Sequence, residues 1–242
     1  MPAQSSRRPV RPTVDVSKGF FRLVPEAFGY PVRGQGKYLL IVGALFFGLL
    51  TLFSMVPLFG LVAAIFGAGY LSAFLFDIAA TSARGDADLP GWPDYRDFTD
   101  DILMPLLWWI AALAVCMLPA AVAGLAHLLE YLSSPVLPLV LAAGGLAVLP
   151  MALLAVALSG SVSALNPVVI VASIFKVPAQ YGVLCLVLAL ILAVRRLLDM
   201  SPLPSLPIVG EVISLYFAVV EMRLLGLLYY TNEKRLGWFE IS

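Results

Sequence analysis

Four ionisable side chains, Asp77, Glu211, Glu221 and Arg223, interrupt long apolar runs. A charge held at mid-bilayer costs about 2.5–3.5 kcal/mol on insertion scales, so such groups face protein or water, or reach the headgroups. On an ideal helix Glu211 and Glu221 stand about 80° apart, with Gly210, Ser214 and Ala218 on the same side and Arg223 roughly opposite Glu221. Two acids on one inward face suit a proton or cation site, or a polar cavity. In the competing reading, Glu211 and Arg223 lie near the two ends of the span and reach the headgroups, leaving Glu221 to be paired by a neighbouring helix. Asp77 falls at the inner end of its run, where reaching the boundary explains it better than catalysis.

Other chemistries find less support. His127 is the single histidine, with Glu130 three residues on and able to meet it across one helical turn. A metal site needs more ligands than this neighbourhood offers, and no nucleophile motif accompanies the histidine. Cys116 and Cys185 both lie within apolar runs, where a thiol packs as a small apolar group. No catalytic residue, metal or cofactor is therefore assigned. Asp86, Asp88, Asp94, Asp97, Asp100 and Asp101 lack the glycine and spaced glutamate of a calcium loop, so they read as a solvated loop. Lys18, Arg22, Arg33 and Lys37 are placed to contact lipid headgroups, each worth about 1 kcal/mol near an anionic surface.

The elements that carry these residues follow from composition. Apolar residues make up 61% of the 242 and charged ones 12%, too little polar surface to solvate a compact globule, so lipid replaces water around the chain. Residues 1–37 form a basic arm, with Arg7, Arg8, Arg11, Lys18, Arg22, Arg33 and Lys37 against Asp15 and Glu26. No cleavage pattern follows a short apolar stretch, so the N-terminus reads as retained. Over residues 14–30, Val16, Phe20, Leu23, Val24, Ala27 and Phe28 recur at near-helical spacing, which predicts an amphipathic helix in the headgroup layer.

Residues 38–80 are too long for one crossing, since about 65 Å of helix would face a core of roughly 30 Å. Turn chemistry at Ser54 to Gly60 divides them into spans near 38–55 and 58–80. Residues 82–101 form an Asp-rich loop in which Trp92, Tyr95 and Phe98 suit an interface and Thr99 or Asp100 can cap the next helix. Further spans are expected near 102–127, 136–159, 179–196 and 208–230, with an interfacial or half-inserted helix in 161–180 and a tail at 231–242. Gly60, Ala64, Ala68 and Ser72, and again Ala112, Cys116, Ala120 and Gly124, form strips of small residues suited to close helix contact. The fold class is thus an all-α polytopic bundle of about six spans, with five or seven as alternatives.

The basic arm places both termini in the cytoplasm by the positive-inside rule, in a prokaryotic inner membrane. Arg195 and Arg196 disagree, because six spans put them at the outer end of the fifth.

Gly69-Tyr70, the loop Leu89-Pro90-Gly91-Trp92-Pro93-Asp94, Asn166-Pro167 before Tyr181, then Pro207, Gly210 and Leu225-Gly226-Leu227-Leu228-Tyr229 together form a pattern over residues 30–235. This pattern resembles the prokaryotic membrane family called domain of unknown function 4013 and, more distantly, the membrane domain beside glycerophosphodiester phosphodiesterases. The resemblance implies a six-helix-type bundle and carries over no catalytic residue.

The leading functional expectation is a non-enzymatic scaffold or accessory subunit of a membrane assembly. Its partners would be the lipid bilayer and other membrane subunits or further copies of the chain, with no nucleic acid. The alternative is a transporter or lipid-handling protein using the acids of the last span.

Overall fold

No water reaches a backbone amide in hydrocarbon, so a chain this apolar is confined to helices that satisfy their own hydrogen bonds. The computed structural model describes residues 13–15, 18–53, 56–93, 96–200 and 207–238. Among these residues there are eight α-helices and no sheet: α1 (Gly19–Gly29), α2 (Gly36–Phe53), α3 (Pro57–Ala83), α4 (Met104–Leu128), α5 (Val136–Ser159), α6 (Pro167–Lys176), α7 (Pro178–Asp199) and α8 (Pro207–Leu236). Six of them, α2, α3, α4, α5, α7 and α8, are long and apolar enough to cross a bilayer. The chain is a multi-pass, all-helical membrane protein. Arg7, Arg8, Arg11, Val16, Ser54, Met55, Asp94 and Tyr95, which entered the sequence reading, lie outside the described residues.

The last helix is the axis. Of the apolar window of α8, 61% is buried, against 17% for α4 and for α7, so α8 packs on protein while those two face outwards. Lipid tails are as apolar as leucine, and close backbone approach rather than hydrophobic burial must hold such helices together. Gly226 provides it: any side chain there would collide with Ser82 and the Ala79 carbonyl of α3. In the same way Gly145 of α5 lies against the Cys116 carbonyl of α4.

The amphipathic helix expected over residues 14–30 forms as α1, and its Phe20, Leu23 and Ala27 are buried in the protein core. Tyr216 of α8 donates to the Phe28 carbonyl at 2.8 Å, and Tyr230 donates to the Val14 carbonyl at 3.0 Å, so the N-terminal segment lies along α8. Periodicity reveals that an apolar face exists but not what covers it.

The Asp-rich loop was expected to be solvated, but half of it is docked. Trp92 stacks on Phe74 with ring centroids 4.1 Å apart and on Tyr70 at 5.6 Å, and Tyr70 donates to the Pro93 carbonyl at 3.2 Å. The loop therefore runs back along α3. Ile102, just before α4, then presses on Gly69, and Trp109 of α4 meets Phe76 at 5.6 Å, so the entry into α4 packs on α3. The capping expected of Thr99 or Asp100 falls to other acids. Asp97 Oδ1 accepts from the Thr99 amide at 2.8 Å, and Asp101 Oδ2 accepts from the amides of Arg96 and Asp97.

In the 161–180 segment, Asn166 Oδ1 caps α6 by accepting from the Val168 amide at 3.0 Å. Lys176 Nζ donates to the Leu236 carbonyl at 2.8 Å, and Trp238 Nε1 donates to Ser173 Oγ at 2.6 Å. Helix α6 thus docks on the end of α8, which continues to Leu236.

Candidate functional site

Because α8 is the axis, its polar side chains are met by protein on several sides, and they separate into two clusters. The first is a cleft between α2, α7 and α8, about 320 Å³ in volume, lined by Gly48, Thr51, Arg195, Leu198, Asp199, Gly210, Glu211, Ile213 and Ser214. Thr51 Oγ1 lies 3.3 Å from Glu211 Oε1 and 3.0 Å from the Phe47 carbonyl, one hydroxyl proton serving two acceptors.

Glu221 lies along the same helix from this cleft, and Arg195 joins the two. Arg195 Nη1 is 3.8 Å from Glu221 Oε1, an ionic contact too long for a hydrogen bond. Glu221 Oε1 is buried and receives no hydrogen bond, so charge alone holds this oxygen. Both side chains keep partial exposure, 34% and 24%. A partly buried carboxylate beside a cation, on the same helix as a charged cleft, can exchange its partner for a ligand or a proton. The side of α8 that carries Glu211 and Glu221 thus faces Arg195, the residue that stood against the charge rule.

Arg223 belongs to a different place. It is 4% exposed, and its Nη1 donates to Ser82 Oγ at 3.0 Å and to the Asp86 carbonyl at 2.6 Å. Its guanidinium carbon lies 4.1 Å from the centre of the Tyr30 ring, a cation–π contact. Tyr30 donates in turn to the Asp88 carbonyl at 3.0 Å. Burial pushes the Tyr30 phenol above its ordinary range and nearby Arg223 pulls it back in part, so near neutrality the ring keeps its proton and acts as a donor. This cluster ties α1, the end of α3 and the loop to α8.

The remaining candidates stay apart. Asp77 is exposed and lines neither cluster's cavity; its backbone carbonyl accepts from Thr81 Oγ1 at 2.8 Å. Lys18, Arg22, Arg33 and Lys37 are all exposed. Lys18 pairs with Glu26 at 2.7 Å, and Lys37 sits 5.1 Å above the Tyr38 ring. His127 shares a hydrogen bond with the Leu132 carbonyl through Nδ1 at 2.7 Å, so the loop backbone is its partner. Among the described residues no group of three or more His, Cys, Asp or Glu could hold a metal ion.

Sequence reasoning missed Arg195, Asp199 and Thr51 in the cleft, and Tyr30 and Ser82 around Arg223. Only Arg195 carried a signal, its conflict with the charge rule.

Comparisons with protein-family models, with curated proteins and with solved structures find no match. The fold and the cleft define the class by themselves: a polytopic helical membrane protein with a charged cleft against its axial helix.

Proposed function

We propose that this membrane protein is a carrier or lipid-handling protein that takes a small zwitterionic group into the cleft between α2, α7 and α8. The observation that carries the reading is the set of opposite charges lining one cavity, Arg195 facing Glu211 and Asp199, inside an otherwise apolar bundle. A volume of about 320 Å³ lies at the small end of ligand sites, suited to an amino acid or a phospholipid headgroup. Arg195 would bind the acidic group and Glu211 the cationic one, with Thr51 and Ser214 offering hydroxyls.

The test is the intact protein in liposomes, assayed for uptake of glycine, serine and phosphoethanolamine and for transbilayer movement of fluorescent phosphatidylethanolamine. Activity on one of these that falls at least tenfold in Glu211→Gln and Arg195→Gln is the expected result. Absence of activity on all four, or activity untouched by both substitutions, overturns the reading.

A second reading, a scaffold or accessory subunit, is favoured by Gly124 on α4 and Gly144 on α5, where an added side chain would meet nothing within 4 Å. Such open small-residue positions accept a helix from another subunit. Solely monomeric protein in mild detergent, with no companion, counts against it. For topology we infer cytoplasmic termini in a prokaryotic inner membrane, which the basic arm supports. The contact of Tyr230 with Val14 fits termini on one side. Reporter fusions at the C-terminus test this orientation. The contact of Tyr70 with the Pro93 carbonyl brings together two stretches that carry the family resemblance, and we keep membership as a proposal.

A further inference from the structure

We propose that the ligand of the charged cleft is a lipid, whose zwitterionic headgroup lies between Arg195 and Glu211 and whose acyl tail lies in an apolar slot between α2 and α3. The inference rests on the reading of the cleft given above and names its substrate class. A shared wall is the ground for it. A second cavity, of about 240 Å³, adjoins the cleft, and Thr51 and Glu211 line both. Every other residue that lines the second cavity is apolar. Those of α3, namely Ala63, Ala64, Gly67, Ala68 and Leu71, recur at helical spacing and form one stripe along that helix. Polarity thus changes across a single hydrogen-bonded pair, Thr51 Oγ1 and Glu211 Oε1 at 3.3 Å. On the α7 side of this pair stand Arg195 and Asp199, and on the α3 side stand hydrocarbon side chains.

The slot also runs in the direction an acyl chain takes. Thr51 lies in the last turn of α2 and Glu211 near the start of α8, so the pair is close to one end of the bundle. From that end, Ala63 to Leu71 lead about 12 Å towards the middle of α3, from headgroup level into the hydrocarbon. Ala64 and Ala68 are exposed, so the slot is open on the flank of the bundle. Lipid tails are as apolar as leucine, so the slot exerts no hydrophobic pull on a tail. Its effect is to let a headgroup reach the cleft without drawing the tail into water or forcing helices apart. A free amino acid leaves the slot unused, whereas a lipid occupies both cavities.

The test uses the full chain in phosphatidylglycerol nanodiscs, titrated by calorimetry with phosphoethanolamine and with hexanoyl lysophosphatidylethanolamine. These carry the same headgroup without and with a tail, and empty nanodiscs supply the background. The tailed ligand is expected to bind about tenfold more tightly or better. Ala64→Trp, at an exposed position on the slot, is expected to lower that affinity about tenfold or more. Phosphoethanolamine binding and the melting temperature should not change. Ala68→Leu is expected to act in the same direction, and decides alone should Ala64→Trp fail to fold. Glu211→Gln, at the shared wall, is expected to weaken both ligands. The lipid assignment is overturned if the tailed ligand binds no more tightly than phosphoethanolamine, or if the slot variants leave its affinity unchanged. In either case phosphoethanolamine binding that falls in Glu211→Gln still supports the reading of the cleft. If neither ligand binds, the lipid assignment fails, and the cleft is judged by its own uptake assay on glycine and serine.

Discussion

The guanidinium of Arg195 faces the carboxylate of Glu221 at 3.8 Å, across the packing of α7 on α8. Each charge is the nearest compensation for the other, and neither is fully immersed in protein. Removing the cation alone leaves a carboxylate in a poorly solvated place, whereas removing both leaves only packing.

Arg195→Gln is accordingly expected to destabilise the protein by about 1–2 kcal/mol, discounted from the cost of breaking a fully buried pair because both side chains are partly exposed. Glu221→Gln is expected to cost less, since Arg195 can turn towards the cleft. The double variant is expected to lie closer to wild type than the sum of the two singles. Unfolding of all four proteins in mixed micelles measures the coupling, and strict additivity would show that the pair does not interact.

This pair also marks where sequence reasoning stops. The fold class was legible because apolar length can be compared with bilayer thickness residue by residue. That Glu211 and Glu221 share a side of one helix was legible from spacing. Their partner was not, because Arg195 sits on another helix and only the crossing of α7 on α8 brings it near. Arg223 and Tyr30 are further apart still in sequence, and no local pattern links them. For α1 the apolar stripe was visible, but protein and lipid are equally apolar covers for it. The Asp-rich loop misled for a related reason: its charges advertise water, while Trp92 and the backbone carbonyls of Asp86 and Asp88 dock it.

Helix contact at Gly226 makes a second prediction. A methyl group there meets Ser82 and α3 backbone, which cannot move without shifting the helix. Gly226→Ala is expected to cost about 1–3 kcal/mol, the usual range for overpacking. At Gly124 the same substitution meets open space and is expected to stay within about 0.5 kcal/mol of wild type in the monomer. Paired melting curves test the contrast, and equal losses at the two sites would refute the α3–α8 contact.

Alkaline stability offers a third. The raised Tyr30 phenol keeps its proton in the folded state after the unfolded chain has begun to lose it. Its contribution is therefore complete below the ordinary value of 10.0 and declines as pH rises from there towards the folded value. Tyr30→Phe removes that dependence together with the hydrogen bond to the Asp88 carbonyl, at a cost of about 0.5–1.5 kcal/mol near neutrality. Denaturation series between pH 8 and 11, at about half-unit steps, should show the gap between wild type and variant closing as pH rises. A gap that widens would contradict the buried phenol.

Trp92 anchors the loop that precedes α4. Its indole is half-buried, stacked 4.1 Å from Phe74 and 5.6 Å from Tyr70, and it closes over Gly43 of α2. The indole nitrogen makes no hydrogen bond, so packing alone supplies the anchor. Trp92→Ala is expected to cost about 2–4 kcal/mol, at the lower end of buried aromatic deletions because the ring is not fully enclosed. Most of that loss should be local, because α3 and α8 still meet through Gly226 and Ser82. Hydrogen exchange is expected to rise in residues 86–93 and in the turn that leads into α4, where Ile102 rests on Gly69. Exchange in the middle of α8, around Val219 and Val220, should stay slow. If the loop amides exchanged no faster in Trp92→Ala than in wild type, the indole would not be what holds the loop against α3.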